Sequence, residues 1–335
     1  MKRIARYLLF AFLLWLLFLV LSMVLPPLVH KTAGPGDWDE KSGMMDAAPE
    51  RVRSIDDNQD ALLWRLRLIE AAQERVILAT FDFWDGESGR DMMGALWNAA
   101  ERGVEVQILV DGLNGGGKPL SSSGLFCQLA AHENVEVRLY NPLNLLTPWK
   151  TNYRMHDKYL IADDLAYLLG GRNTDDRFLG RYTDGYNVDR DILVYETEPG
   201  QGQSYRQLLD YFDRIWSLPC CKVLDRPGEG EDLSQCYEET RARYPEAFAA
   251  PLTQTEWEAA TLETEGVELW TNPIEPENKK PILWARMMDA MAKAEEVLVQ
   301  TPYIICSRDM YSDLRSVCGG GTRTDILINA VEIGS

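Results

Sequence analysis

The first apolar block is unbroken: from Tyr7 to Leu25 the chain runs nineteen positions without a charge, nearly all Leu, Phe or Val. As a helix this block would be about 28 Å long, enough to cross the hydrocarbon layer of a bilayer. Further on the apolar positions take shorter periods. Residues 61–72 show helical spacing, 76–83 read as a buried strand, 91–101 as a helix and 104–110 as a second strand. The same alternation continues with a helix over 125–131, a strand over 135–140 and an amphipathic helix over 205–216 that ends before Pro219. Strands alternating with helices predict an α/β domain whose sheet is covered on both faces. Beyond it the pattern predicts strands over 267–271, 297–303 and 324–331 and a helix over 282–294.

Two stretches run parallel. VILATFDFWDGESGRDMMGALWNAAERGVEVQILVDG from Val76 and VLVQTPYIICSRDMYSDLRSVCGGGTRTDILINAVE from Val297 both read as strand, loop, helix, glycine and strand. Each helix opens on the same triplet, Arg90-Asp91-Met92 and Arg308-Asp309-Met310, which points to an internal duplication. Between them, positions 220–266 carry eleven acidic residues against four basic ones and read as a solvated connection. Positions 31–55, rich in Gly, Pro, Asp and Ser without a sustained period, read as a tether. The expected organisation is therefore a membrane anchor (1–30), a tether (31–55), a first domain (56–219), an acidic connecting segment (220–266) and the start of a second domain (267–335).

Charge and cysteine content narrow the class. Asp and Glu number 52 against 34 Lys and Arg, a formal net charge of -18, so bulk attraction to nucleic acid is excluded as an argument. The apolar block exceeds the usual signal-peptide core and is followed by Pro26 and Pro27 rather than by small residues, which favours an uncleaved anchor. Lys2, Arg3 and Arg6 precede it and Asp37, Asp39, Glu40 and Asp46 follow, so the positive-inside rule puts the N-terminus in the cytoplasm and the remainder outside the cell membrane. The six cysteines form no CxxC pair, and neither a metal nor any other cofactor is expected. In an oxidising compartment Cys220 or Cys221 would bridge to Cys236; the alternative is three incidental thiols.

One segment concentrates chemistry: RMHDKYLIADDLAYLLGGRNTDDRF from Arg154. In a strand, residues two apart share a face, so His156 and Lys158 project together while Asp157 points away. Asp163 falls in a turn, residues 165–169 make a second strand, Gly170 and Gly171 permit close backbone approach, and Asn173 adds an amide. These residues match the HxKxxxxD motif of the phospholipase D superfamily, continued as GGxN, and with Asp175-Asp176 and Asp189-Arg190-Asp191 the segment resembles the cardiolipin synthase-like branch. The resemblance implies a phospholipase D-like α/β/α sandwich: one complete repeat, the beginning of a second, and one N-terminal transmembrane helix before them. It also implies phosphodiester exchange through a phosphohistidine, with His156 as nucleophile. Lys158, Gly171 and Asn173 would hold the phosphate. Asp163 counts among the motif's catalytic residues, although its position also suits pinning the hairpin turn. Asp175, Asp176 and Asp191 are the candidates for the carboxylate that orients His156.

The superfamily pairs two such motifs about a pseudo-two-fold axis, and this sequence has one. Its other histidines are His30, beside the apolar block, and His132, on a predicted helix surface. Val76 to His156 is 80 positions, so a duplicated histidine would fall at about position 377, past Ser335. Three expectations follow: a fragment of a longer two-motif protein, which is favoured; a homodimer of single motifs; or a silent half-site. The implied activity is a membrane-anchored phosphatidyltransferase of cardiolipin synthase type acting on phospholipid, with phosphatidylglycerol the expected substrate. A water-using phospholipase D or phosphodiesterase is the alternative. A nuclease is disfavoured because the six cations between Lys150 and Arg181 are nearly balanced by five aspartates.

Overall fold

The computed structural model describes residues 2–25, 32–34, 36–38, 48–113, 124–224, 232–275 and 280–328. Helix α1 (Lys2–Val24) takes up the apolar block; its 22-residue candidate span, Arg3–Val24, packs none of its apolar window inside the protein. Then come β1 (Glu50–Ile55), α2 (Asn58–Ala71), β2 (Arg75–Thr80), α3 (Glu87–Glu101), β3 (Glu105–Asp111), α4 (Gly124–Ala130) and β4 (Val135–Tyr140). They are followed by β5 (Tyr159–Ala162), β6 (Ala166–Gly170), β7 (Asp191–Glu196), α5 (Gln203–Trp216), β8 (Cys221–Val223), α6 (Leu233–Arg243), α7 (Gln254–Ala260) and β9 (Leu262–Glu263).

Strands β1 to β9 form one mixed sheet in the order β8-β4-β3-β2-β5-β6-β7-β1-β9. Only β4, β3 and β2 run parallel; β5, β6 and β7 form an antiparallel meander beside them. Strands β2 and β3 are buried on both faces, which is why their sequences are nearly continuous apolar runs. On one face Val76, Leu78, Val106 and Ile108 pack with Leu66, Ile69, Met92 and Leu96 of α2 and α3. On the other face α5 brings Phe212 edge-on to Tyr159, with ring centroids 6.5 Å apart. The sheet is thus sandwiched between helices, as the α/β/α expectation required.

Three sequence-based expectations need correction. Residues 50–55, expected to be tether, form β1, paired antiparallel to β7 on one side and β9 on the other. The acidic stretch 220–266 is part of the first sheet and its helical cover: β8 and β9 are its edge strands, and Leu233, Tyr237, Tyr244 and Trp257 are buried. Among its described residues Glu238, Glu239, Glu256 and Glu258 are exposed on helices whose inner side is apolar. Residues 267–271 make no strand. Of the two alternatives for Cys220, Cys221 and Cys236, the structure has the free thiols, and the buried Cys221 Sγ donates to the carbonyl of Ile215 at 3.1 Å.

The second compact unit holds α8 (Ile282–Lys293), β10 (Glu296–Gln300), α9 (Arg308–Gly319) and β11 (Arg323–Leu327). Strands β10 and β11 pair in parallel, Val297 with Thr324, just as Val76 pairs with Val106 in the first unit. The expected strand over 324–331 ends at Leu327, and its last three positions lie outside the described residues.

Candidate active site

The site forms at the C-terminal ends of the mid-sheet strands β2 and β3. Strand β5 runs antiparallel to β2, with Tyr159 opposite Ala79, so His156 and Lys158, just before β5, arrive beside Phe81, just after β2. The Phe81 ring stands edge-on to the imidazole of His156 at 4.6 Å between centroids and lies 5.4 Å from the Nζ of Lys158. One aromatic ring is therefore in contact with both side chains, which lie in extended chain just before β5 rather than within a strand. Their approach is anchored by Asp111 at the end of β3. Its Oδ1 accepts from Arg154 at 3.1 Å and its Oδ2 from the Met155 amide at 3.0 Å.

Charge is managed by burial. Lys158 is buried and its Nζ donates to the carbonyl of His156 at 2.8 Å. Desolvation pulls the ammonium pKa down to about 8, against the opposing pull of Asp157, Asp189 and Asp82. His156 stays open to solvent as a residue. Desolvation and the neighbouring Lys158 charge nonetheless lower its pKa, while Asp111 and Asp189 partly offset them. A neutral imidazole, the nucleophilic form, is therefore favoured near pH 7. Beyond β6, Asn173 is buried, and its Oδ1 lacks a hydrogen-bond partner. Burial raises the carboxyl pKa of Asp82, against the pull of charges that include Lys158.

The other expected site residues lie elsewhere or do other work. Asp163, expected among the catalytic residues, is at the far end of β5, about 20 Å of extended chain from His156. There, at φ 49°, it accepts from the amides of Gln73, Glu74 and Arg75 at 2.8, 2.9 and 2.7 Å, pinning the hairpin to the start of β2. Asp191 is fully buried and paired with Arg65 at 2.8 Å and Arg172 at 3.4 Å. Asp176 caps α3, accepting from the Ser88 amide at 2.8 Å and hydroxyl at 2.7 Å. Asp175 binds Arg177 through its amide at 2.8 Å and its guanidinium at 2.9 Å. None of the three is hydrogen-bonded to the imidazole, so the expected orienting carboxylate is not found among them.

Gly170 and Gly171 also have a different task from the expected approach to ligand. A Cβ on Gly170 would lie 1.9 Å from Oδ1 of Asp191, and one on Gly171 would lie 2.3 Å from either carboxylate oxygen of Asp189. The glycine pair makes room for Asp191, at the start of β7, and Asp189, just before it. The sequence pattern did not single out Phe81, Asp82 or Asp111, and it named Asp189 only as part of the Asp189-Arg190-Asp191 run, without a role at the site. Asp189 had a readable signal, since it is two residues from Asp191 opposite paired glycines; the others come from strand ends distant in sequence. His132 is partly buried, 3.2 Å from Glu101 and accepting from the Asn134 amide, and His30 lies outside the described residues.

Comparison with known proteins identifies the domain that carries these residues. Residues 66–216 match the family described as "Cardiolipin synthase, PLD-like domain". The chain is 33% identical over 190 residues to cardiolipin synthase C of Escherichia coli K12, covering 53% of this chain and 38% of that protein. It is 33% identical over 150 residues to cardiolipin synthase B of the same organism, covering 41% and 35%. The match thus spans less than two fifths of either relative. Among solved structures, phosphatidylserine synthase of Haemophilus influenzae Rd KW20 shares the fold, with a TM-score of 0.57 at 13% identity, covering 84% of this chain and 63% of that one.

Proposed function

Because the chain carries a phospholipase D-like domain of the cardiolipin synthase type and so belongs among the phosphatidyltransferases and phosphodiesterases of that superfamily, we propose that it is a membrane-anchored phospholipid phosphatidyltransferase working through a phosphohistidine. The observation that carries this reading is the placement of a neutral His156 and a buried, cationic Lys158 against one face-sharing ring, Phe81. A nitrogen of His156 attacks phosphorus as the bond to the departing glycerol oxygen breaks. Lys158 and the Asn173 amide hold the non-bridging oxygens and stabilise the charge on five-coordinate phosphorus. The leaving oxygen takes its proton from a second, two-fold-related half-site. A second phosphatidylglycerol then attacks the phosphohistidine through its glycerol hydroxyl, loses that proton, and frees His156.

Helix α1 holds the domain at the membrane, with its basic N-terminal flank in the cytoplasm and the catalytic domain outside. The solvent access of His156 supports a second reading, in which water resolves the intermediate and the product is phosphatidic acid. Head-group-labelled and acyl-labelled phosphatidylglycerol separate the two. Transfer gives labelled cardiolipin and free glycerol, and added glycerol suppresses it; hydrolysis gives phosphatidic acid whether glycerol is added or not. His156→Ala should abolish both products and the acid-labile phosphoenzyme, and retained turnover would overturn the mechanism.

A further inference from the structure

The segment between β4 and His156 is more apolar at its surface than a loop requires. Leu143, Leu145, Leu146 and Trp149 are all exposed, with Leu146 at 84%. The segment is nonetheless built firmly. The Asn144 side chain accepts from the Leu146 amide at 2.9 Å, a short 3-10 turn (Pro148–Lys150) follows, and Asn141 clamps its two ends. The Asn141 side chain donates to the carbonyls of Lys150 at 2.7 Å and Tyr153 at 2.9 Å. Asn141 holds its left-handed backbone, φ 46°, and its own carbonyl accepts from Arg154 at 2.6 Å. The apolar tip is thus fixed to the extended chain, Tyr153 and Arg154, that leads into His156.

The same segment touches α1. The ring of Trp149 stands edge-on to Phe18, centroids 6.2 Å apart, and the Asn152 side chain donates to the carbonyl of Met23. Met23 is near the end of the apolar helix, and Phe18 is five residues below it, about 7.5 Å along the axis. If α1 spans a bilayer, Trp149 is at the depth where aromatic side chains favour the membrane interface, and Leu143, Leu145 and Leu146 share its apolar tip. Electrostatic attraction does not supply this contact, because a net charge of -18 repels an anionic surface. Apolar insertion does.

We infer that residues 143–149 are a second membrane contact, a loop inserted into the leaflet that faces the catalytic domain, and that it presents His156 to phosphodiesters of that leaflet. The inference rests on the reading of α1 as a membrane span and adds the face of the bilayer from which substrate is taken. Trp149 and His156 are seven residues apart, so at most about 25 Å separates them. A phosphodiester then reaches His156 from the head-group layer while its acyl chains remain in the bilayer.

The test is photolabelling of the full chain in vesicles of phosphatidylethanolamine and phosphatidylglycerol that contain a phospholipid with a diazirine on its acyl chain. Trypsin cuts after Arg6, Lys31, Arg138 and Lys150, so peptides 7–31 and 139–150 report α1 and the loop separately. Peptide 182–190, with exposed Tyr186 and Val188, is the control for apolar exposure alone. Label on 7–31 and 139–150 but not on 182–190 is expected. In Leu145→Asp/Leu146→Asp the label on 139–150 should fall about tenfold relative to 7–31, with thermal unfolding unchanged. Label on 7–31 without 139–150 overturns the inference and leaves the anchor standing. Label on neither overturns both, and equal label on 182–190 overturns the special role of the loop. The readout requires no turnover, so failure of the proposed reaction leaves this test intact.

Discussion

The chain contains the same β-α-β unit twice in two different settings. In the first, β2-α3-β3, the strands lie mid-sheet and nearly every position is buried; Ile77 is 1% exposed. In the second, β10-α9-β11, the parallel pairing recurs, yet Leu298, at the position matching Ile77, is 73% exposed. Sequence alike in pattern therefore gives strand, helix and parallel register in both, while burial depends on neighbours the unit does not itself contain. Among the described residues, the meander β5-β6-β7 lies alongside the first unit, and His156 and Lys158 come together there. A β-α-β unit supplies a scaffold edge; the chemistry comes from the strands laid against it.

The largest expected effect tests what that added meander costs to hold. Asp191→Ala leaves Arg65 and Arg172 buried without their carboxylate and should destabilise the domain by about 3–5 kcal/mol, read by chemical denaturation. A loss below 1 kcal/mol would mean that the triad is not a buried ion pair in solution. Matched truncations make the comparison direct. Ile77→Ala should cost about 2–5 kcal/mol, and Leu298→Ala should stay within about 0.5 kcal/mol. A cost of 2 kcal/mol at Leu298 would show that its face is covered in solution and would break the contrast.

What was legible from sequence follows the same division. Strands β2 and β3 announced themselves as continuous apolar runs because both faces are buried, and His156 with Lys158 announced themselves by spacing on one face. Strand β1 did not, since ERVRSI buries only its two ends, one of them Glu50, whose carboxylate accepts from the Tyr205 amide at 3.1 Å. Helix α3 begins four residues before its predicted start because its cap, Asp176, comes from the far side of the motif. Asp163 carries a motif position without reaching the site, for the amides it binds are at the other edge of the sheet. The expected strand over 267–271 has apolar positions but no ladder partner. Composition hid the role of residues 233–260, whose acidic outer faces cover buried Tyr237 and Trp257.

A smaller effect belongs to the first unit's site alone. In the unfolded chain Lys158 would titrate near its ordinary value of 10.5, and in the fold near 8. Between those values the unfolded state binds more protons, so stability contributed at this position rises with pH from about 8 to 10.5 and is flat below 8. Lys158→Met should thus be more stable than the parent at pH 7, with the advantage shrinking as pH passes 8. Activity should run the other way, falling above about pH 8 as the phosphate-holding charge is lost. An advantage independent of pH would place the ammonium in water.

The smallest effect is expected from the second unit's own ion pairs, and its smallness is what sharpens the comparison. Arg323 pairs with Glu296 at 3.1 Å and with Asp325 at 3.0 Å, joining β10 to β11 at the start of the parallel ladder. All three side chains are more than half exposed, so water screens the charges in both folded and unfolded states, and ordering three long side chains offsets what attraction remains. Glu296→Gln should therefore shift unfolding by no more than about 0.5 kcal/mol, and added salt should erase the difference. In the first unit the same kind of pair, Asp191 with Arg65 and Arg172, is shielded from salt by burial and should keep its effect at high ionic strength. If Glu296→Gln instead proved costly and salt-resistant, the β10-β11 edge would be a desolvated contact, and the two copies of the β-α-β unit would differ in sequence detail rather than in the neighbours that bury them.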